Sequence, residues 1–124
     1  MNKDFLHPAM TVMKDGHPCT VDAFDHDKVV DASLLLDMTN DEQRTVLKWI
    51  AGNVTPGKKP NERCNSYGMK FWLEQDTRLY LTNNQFKDAM LLSGYKPADV
   101  SELNWHFCIS NKSKFFDQIG NRRR

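Results

Sequence analysis

The clearest pattern in the chain is an amphipathic helix that begins after Thr82. The Thr82 hydroxyl can accept a hydrogen bond at the helix start, and Gln85 can return one, which makes a capping box. Gly94 follows as a left-handed stop that places Tyr95 back over the last turn. At 3.6-residue spacing, the inner face of this predicted helix carries Phe86, Ala89, Met90 and Ser93.

Two further helices are predicted upstream of it. Thr39 and Glu42 form a second capping box, and Gly52 is the expected stop of that helix. Its apolar face carries Val46, Leu47, Trp49 and Ile50. After a surface loop at 53–65, a third helix begins at Asn65 or Ser66 and is apolar around most of its circumference, which predicts packing on two sides.

Short strands are predicted on both sides of these helices. Asp15-Gly16 suits a hairpin turn between Met10–Lys14 and Cys19–Phe24. The segment Val29–Met38 fits a strand and a short helix equally well. The remaining patterns predict a strand at Arg78–Leu81, a short helix at Ala98–Leu103 and a strand at Asn104–Ile109, where Trp105, Phe107 and Ile109 alternate with His106 and Cys108.

Together these elements predict an α+β fold in a single compact domain, with about four helices and a few short strands. The expected divisions are an acidic strand and loop segment at 1–38, a helical core at 39–119 and a basic tail at 120–124. From Ser66 onward the order of elements is that of a winged helix-turn-helix. The expected recognition helix, Ala98–Leu103, departs from that class because Asp99 and Glu102 would repel phosphate.

The segment Ser66–Ile109 also contains the pattern YG-K…Y-TN-QF--AM---GY…NW-F-I. In this pattern it resembles small uncharacterised proteins of bacteriophages and mobile elements. The resemblance covers about a third of the chain and brings no activity and no functional residues. It implies an origin in a phage or a mobile element.

Composition narrows the class of protein. The hydrophobic fraction of 40% and the charged fraction of 27% are those of a globular protein, and no apolar run reaches the ~20 residues that span a bilayer. The N-terminus lacks the apolar region of a signal peptide. Three widely spaced cysteines indicate a reducing compartment rather than a disulfide framework. We therefore expect a cytoplasmic protein, in the host cytoplasm if it is phage-encoded.

The net charge of +1 conceals a strong asymmetry. Residues 1–42 carry three lysines and nine acids, whereas residues 43–124 carry fourteen basic residues and seven acids. Two interpretations fit: a basic face for nucleic acid beside an acidic face for a protein, or halves that neutralise each other. The candidate nucleic-acid or partner contacts are Lys58, Lys59, Arg63, Asn83, Asn84, Lys87, Lys112, Lys114, Arg122, Arg123 and Arg124, with Asn84 and Lys87 the best pair for direct base readout.

Candidate catalytic and metal chemistry is weak by comparison. Two His-x-Cys pairs (His17 with Cys19, and His106 with Cys108) would form a zinc site if their strands met, but the spacing matches no finger pattern. Small buried cysteines and surface histidines are the commoner arrangement, so no cofactor is expected. Cys64 lies in a basic loop where Lys59 and Arg63 would favour a thiolate, but no catalytic partner is near it in the sequence. His26, between Asp25 and Asp27, could serve as an acid–base group or in a cation site, although an exposed polar loop is the commoner arrangement.

Three functional classes follow. The first is a non-catalytic binding protein that acts by occupancy on a nucleic acid or on a nucleic-acid-handling host complex, for example by inhibiting a host defence system. Its partner would be a host protein, a nucleoprotein complex or duplex DNA, without a membrane. The alternatives are a winged-helix transcription regulator and a small zinc- or cysteine-dependent enzyme.

Overall fold

The structure is a computed structural model of the 124-residue chain. It describes the backbone of residues 11–14, 17–20, 22–23, 30–31, 33–100 and 102–117, and side chains from Ser33 onward within these ranges. The predicted basic tail at 120–124 and the predicted Asp25-His26-Asp27 site lie outside the described residues.

Four short strands precede the helices. Strand β1 (Thr11–Lys14) pairs antiparallel with β2 (His17–Thr20), so that a hairpin lies where Asp15-Gly16 predicts one. The second strand starts two residues earlier than expected and includes Pro18. A second antiparallel pair joins β3 (Asp22–Ala23) to β4 (Val30–Asp31), which comes early in the ambiguous segment Val29–Met38. A 3-10 turn at Leu35–Asp37 lies later in that segment.

Three α helices form the body of the molecule: α1 (Asn40–Asn53), α2 (Ser66–Thr77) and α3 (Asn83–Leu92). Both predicted capping boxes are confirmed. The Thr39 hydroxyl accepts from the Glu42 amide at 3.1 Å and the Glu42 carboxylate accepts from the Thr39 amide at 2.9 Å. The corresponding distances at Thr82 and Gln85 are 3.0 and 2.9 Å.

The ends of the helices follow the sequence signals less closely. Gly94 has φ 91°, and the Tyr95 amide donates to the Met90 carbonyl at 3.0 Å, as the left-handed stop of α3 requires. Gly52, by contrast, lies inside α1, which ends at Asn53 before an extended Val54. Helix α2 ends at Arg78, which adopts a left-handed φ of 63°.

The predicted α+β fold with a winged-helix-like second half is wrong. Between 33 and 117 the described residues form helices, turns and extended segments, and no strand. The expected strand at Arg78–Leu81 and the expected helix at Ala98–Leu103 are absent from the described part of the chain. The molecule is mostly helical, and the isolated bridges among the described residues join Pro56 to Ile109 and Pro97 to Phe107.

The segment 105–111, hereafter the strap, explains the misleading strand pattern. Its apolar side chains alternate inward as predicted, since Trp105 and Phe107 are fully buried while His106 and Cys108 are half-buried. However, the strap runs extended across the helices instead of pairing in a sheet. A period of two therefore reports an extended chain with one buried face, whatever its backbone partner is.

The hydrophobic core lies between the three helices, the strap and a helical turn at 115–117. A hydrogen bond of 2.8 Å from the Trp49 indole to the Asp76 carboxylate joins α1 to α2 at its edge. No helix in the described part of the chain has the length and apolar composition needed to cross a bilayer. Among the side chains of this core are Trp49, Ile50, Met69, Leu73, Phe86, Met90, Trp105, Phe107, Phe115 and Phe116.

Candidate nucleic-acid interface

Residues 54–65, hereafter the basic loop, pack along the strap through backbone hydrogen bonds. The Gly57 amide donates to the Cys108 carbonyl at 3.0 Å, and the Asn61 amide donates to the Phe107 carbonyl at 2.9 Å. At the start of the loop, the Ser110 amide donates to the Thr55 carbonyl at 2.8 Å. The predicted surface loop is therefore fixed at several points along its length.

Asn61 is the main side-chain anchor of the basic loop. It is 8% exposed, and its amide nitrogen donates to the Ile109 carbonyl at 3.1 Å and to the Asn111 side-chain oxygen at 2.9 Å. Its own side-chain oxygen accepts from the Arg63 amide at 3.0 Å. Its backbone carbonyl lies 3.0 Å from His106 Nδ1. One buried side chain thus sets the path of the loop and the position of Arg63.

A groove of about 820 Å³ lies where the loop meets the strap, and three of the predicted contact residues line it: Lys58, Lys59 and Arg63. All three are exposed. Arg63 Nη1 donates to Asn111 Oδ1 at 3.4 Å, and its guanidinium carbon lies 4.1 Å from the centre of the Phe116 ring. Glu62 is the one acid in the lining of this groove.

Lys112 and Lys114 lie in the turn that follows Asn111, a residue that lines this groove. Both are exposed, and they flank Ser113, whose buried hydroxyl accepts from the Thr55 amide at 2.9 Å. The fold therefore brings residues more than forty positions apart in the chain onto neighbouring segments. We call the set Lys58, Lys59, Arg63, Lys112 and Lys114 the basic surface.

The predicted readout pair is not part of this surface. Asn84 and Lys87 are both fully buried. The side-chain nitrogen of Asn84 donates to the Ser33 carbonyl at 2.6 Å, and Lys87 Nζ lies 4.6 Å from the centre of the Trp105 ring. The polar side of α3 is covered by the segment around the 3-10 turn, which the helical spacing alone did not reveal.

Asn83, the predicted contact residue that directly precedes this pair, is half-buried. Its amide nitrogen donates to the Leu103 carbonyl at 3.2 Å and to Asn104 Oδ1 at 2.9 Å. It therefore holds the segment after α3 in place. Neither Asn83 nor the Asn84–Lys87 pair joins the basic surface, and Arg122, Arg123 and Arg124 lie outside the described residues.

Of the candidate catalytic and metal residues, the structure describes the side chains of Cys64, His106 and Cys108. Burial raises the pKa of the Cys64 thiol to about 11 and outweighs the Asn65 hydrogen bond and the Arg63 charge, which lower it. Cys64 is therefore a protonated thiol at neutral pH, and the expected thiolate is wrong. The side chains of His17 and Cys19 lie outside the described residues, and the described part of the chain holds no group of three or more potential metal ligands.

A second groove, of about 500 Å³, was not anticipated from the sequence. It is flanked by Tyr67 and Tyr80, whose side chains are 58% and 78% exposed. The spacing assigned Tyr67 to an apolar helix face and Tyr80 to a strand, so neither stood out as a surface residue. Both rings lie near Lys70 Nζ, at 5.0 and 5.5 Å.

Comparisons of the chain with protein-family models, with curated proteins and with solved structures find no match.

Proposed function

We propose that this is a small non-catalytic binding protein that acts by occupying a nucleic acid through its basic surface. The observation that supports this most directly is the contact of the basic loop with the strap and with the turn that follows it, which places five cationic side chains on adjoining, anchored segments. The resemblance of Ser66–Ile109 to phage and mobile-element proteins is consistent with such a role. In that setting, occupancy alone can inhibit a host defence or regulatory complex.

The physical basis of the proposal is the release of counterions. Each lysine or arginine that neutralises a phosphate frees condensed cations, which makes sequence-independent affinity possible without a recognition helix. Phosphate contacts of this kind position a protein but do not specify a base. Because backbone hydrogen bonds and Asn61 already fix the basic loop, binding pays less entropy to order it.

The state of Cys64 also favours binding over nucleophilic catalysis. Its thiol is protonated at neutral pH because it is buried, although Arg63 is adjacent in the chain. A thiolate is the reactive species in cysteine catalysis. The arginine therefore serves the surface rather than the activation of its neighbour.

The decisive experiment is fluorescence anisotropy of labelled oligonucleotides, single-stranded and duplex, titrated with the purified protein at several salt concentrations. The variant replaces two basic-surface residues, Lys58→Ala with Lys59→Ala. The control removes two exposed charges elsewhere, Arg44→Ala with Lys48→Ala on α1. We expect the basic-surface variant to bind more weakly and its salt slope to fall by about 0.9 per lost contact on duplex, or about 0.7 on a single strand.

Two results would overturn the proposal. One is the absence of salt-dependent binding to either oligonucleotide at low ionic strength. The other is an equal loss of affinity in the α1 control, which would mean that overall charge and not the basic surface is responsible. If a stable complex with a host protein forms while the purified protein binds no nucleic acid, direct nucleic-acid contact is replaced by a protein-directed role.

A further inference from the structure

Two exposed tyrosines stand on a rigid support beside the second groove. Tyr67 lies in the first turn of α2, and Tyr80 lies in the extended segment between α2 and α3. A large aromatic side chain is less favourable in water than when it is buried, so the exposure of two neighbouring rings requires an explanation. A partner that covers the rings is the simplest one.

The support beneath the rings is an ion pair that is mostly shielded from water. Lys70 Nζ and Glu74 Oε2 are 3.1 Å apart, with side-chain exposures of 8% and 18%. Glu74 Oε2 also accepts from the Leu81 amide at 3.2 Å, which fixes the segment that carries Tyr80. Since both rings lie within 5.5 Å of Lys70 Nζ, one buried residue positions both of them.

The tyrosines continue from the basic loop along the chain. Arg63 is the last cation of the loop, Asn65 caps α2 by accepting from the Gly68 amide at 3.0 Å, and Tyr67 follows two residues later. In sequence, the basic loop is therefore followed directly by the N-terminal turn of α2, which carries the first exposed ring. Positive charge followed by exposed aromatic faces is the combination found in proteins that bind single strands.

We propose that the nucleic acid bound by this protein is single-stranded, with its backbone on the basic surface and its bases stacked on Tyr67 and Tyr80. In a duplex the base faces are covered by their neighbours and only the edges are accessible. Stacking on a protein ring therefore requires unstacked bases. This inference rests on the proposed function and adds the class of nucleic acid and the residues that select it.

Asn83, which lines this groove, has a side-chain oxygen that accepts no hydrogen bond from the described residues. Asn83 Oδ1 is buried and has no hydrogen-bond partner among the described residues, although its nitrogen makes two. An acceptor left in this state costs free energy.

The test compares Tyr67→Ala and Tyr80→Ala with Tyr67→Phe and Tyr80→Phe in the anisotropy assay, on a mixed-sequence single strand and on its duplex. Alanine should weaken single-strand binding at least about fivefold per ring, and phenylalanine, which keeps the stacking face, should stay within about twofold of the parent protein. The matched control is Leu36→Ala, which removes a large side chain that is 60% exposed and lies outside the groove. Thermal melting checks that every variant is folded.

A second measurement locates the contact independently of affinity. Ultraviolet crosslinking to the same single strand, followed by mass spectrometry, should identify Tyr67 or Tyr80 as the attached residue. The inference is overturned if the tyrosine-to-alanine variants bind as the parent protein does, or if duplex binds as tightly as the single strand, while Lys58→Ala with Lys59→Ala still weakens binding. If the parent protein binds neither form, the proposed function falls together with the inference.

Discussion

At the scale of single residues, Gly57 marks the closest approach of the basic loop to the strap. A Cβ atom at this position would lie 2.5 Å from the Ile109 carbonyl carbon and 2.7 Å from its oxygen. These are backbone atoms, which move only if the strap itself shifts. The position therefore requires a residue without a side chain.

We predict that Gly57→Ala and Gly52→Ala have opposite effects on the free energy of unfolding. Gly57→Ala should lower it by about 1–3 kcal/mol, because the methyl group overpacks against backbone. Gly52 lies inside α1 with nothing within 4 Å of its would-be Cβ, so Gly52→Ala should raise it by about 0.5–1 kcal/mol. Urea denaturation of both variants gives the comparison, and a neutral or stabilising Gly57→Ala would contradict the close approach.

Single residues also show which predictions a sequence supports. The capping boxes at Thr39 and Thr82 were predicted because each depends on two residues three positions apart. Asn84 and Lys87 were wrongly predicted to contact a nucleic acid, because their burial depends on Ser33 and Trp105, which are distant in the chain. Helical spacing identifies the polar side of a helix but not what packs against that side.

At the scale of elements, the 3-10 turn docks on α3 through a buried carboxyl. The Leu35 amide donates to Asp88 Oδ2 at 2.9 Å, and Asp88 is 4% exposed. Burial raises the pKa of the Asp88 carboxyl, the Leu35 hydrogen bond partly opposes the rise, and the Asp37 charge adds to it. The contact between these two elements therefore depends on protonation.

We predict that the contribution of Asp88 to the stability of the protein decreases as pH rises from the ordinary pKa of an aspartate, about 3.9, through the higher native pKa of Asp88. In that window the native state holds the proton that the unfolded chain has released, so the free energy of unfolding falls with pH. The Asp88→Asn variant lacks this contribution, so its free energy of unfolding should rise relative to that of the parent protein across this pH range. Urea denaturation at several pH values measures the difference.

Asp37→Asn provides a second variant for the same prediction. Because the Asp37 charge contributes to the raised pKa of Asp88, its removal should lower that native pKa. The pH range over which the Asp88 contribution to stability is lost should then become narrower but should not disappear. A difference between Asp88→Asn and the parent protein that stays constant with pH would contradict the prediction. Titration of the Asp88 carboxyl by nuclear magnetic resonance gives the native pKa directly.

Elements were predicted from the sequence where their pattern is local. All three α helices begin at the predicted position, because caps and apolar faces are short-range signals. The strap was assigned to a sheet because alternation specifies an extended conformation but not its hydrogen-bond partner. Its backbone partners are residues 96–98 and the basic loop, and no spacing rule identifies the loop, which lies more than forty residues earlier in the chain.

At the scale of the whole molecule, Asn61 couples the stability of the fold to the shape of the basic surface. Asn61→Ala removes the hydrogen bonds to Ile109 and Asn111 and should lower the free energy of unfolding by about 1–3 kcal/mol. It should also weaken nucleic-acid binding, because the loop no longer holds Arg63 in place. Denaturation and anisotropy measure these two effects, and hydrogen exchange of residues 54–65 measures whether the loop opens more readily.

Asn53→Ala is the control for this prediction. The Asn53 side chain makes one local hydrogen bond, of 2.9 Å to the Trp49 carbonyl within α1. Asn53→Ala should therefore lower the free energy of unfolding less than Asn61→Ala does and should leave nucleic-acid binding unchanged. If Asn61→Ala leaves hydrogen exchange in the loop unchanged, the loop is held by its backbone bonds alone. The coupling between fold and surface would then be absent.

The basic loop is anchored by parts of the chain that carry no charge. Thr55, Gly57 and Asn61 form its attachments, whereas Lys58 and Lys59 lie between the last two of these and are exposed. In evolutionary terms, selection can change the sign or density of charge at these two lysines without disturbing the core. Arg63 is the exception, because its guanidinium also covers Phe116, and a replacement there must satisfy both electrostatics and packing.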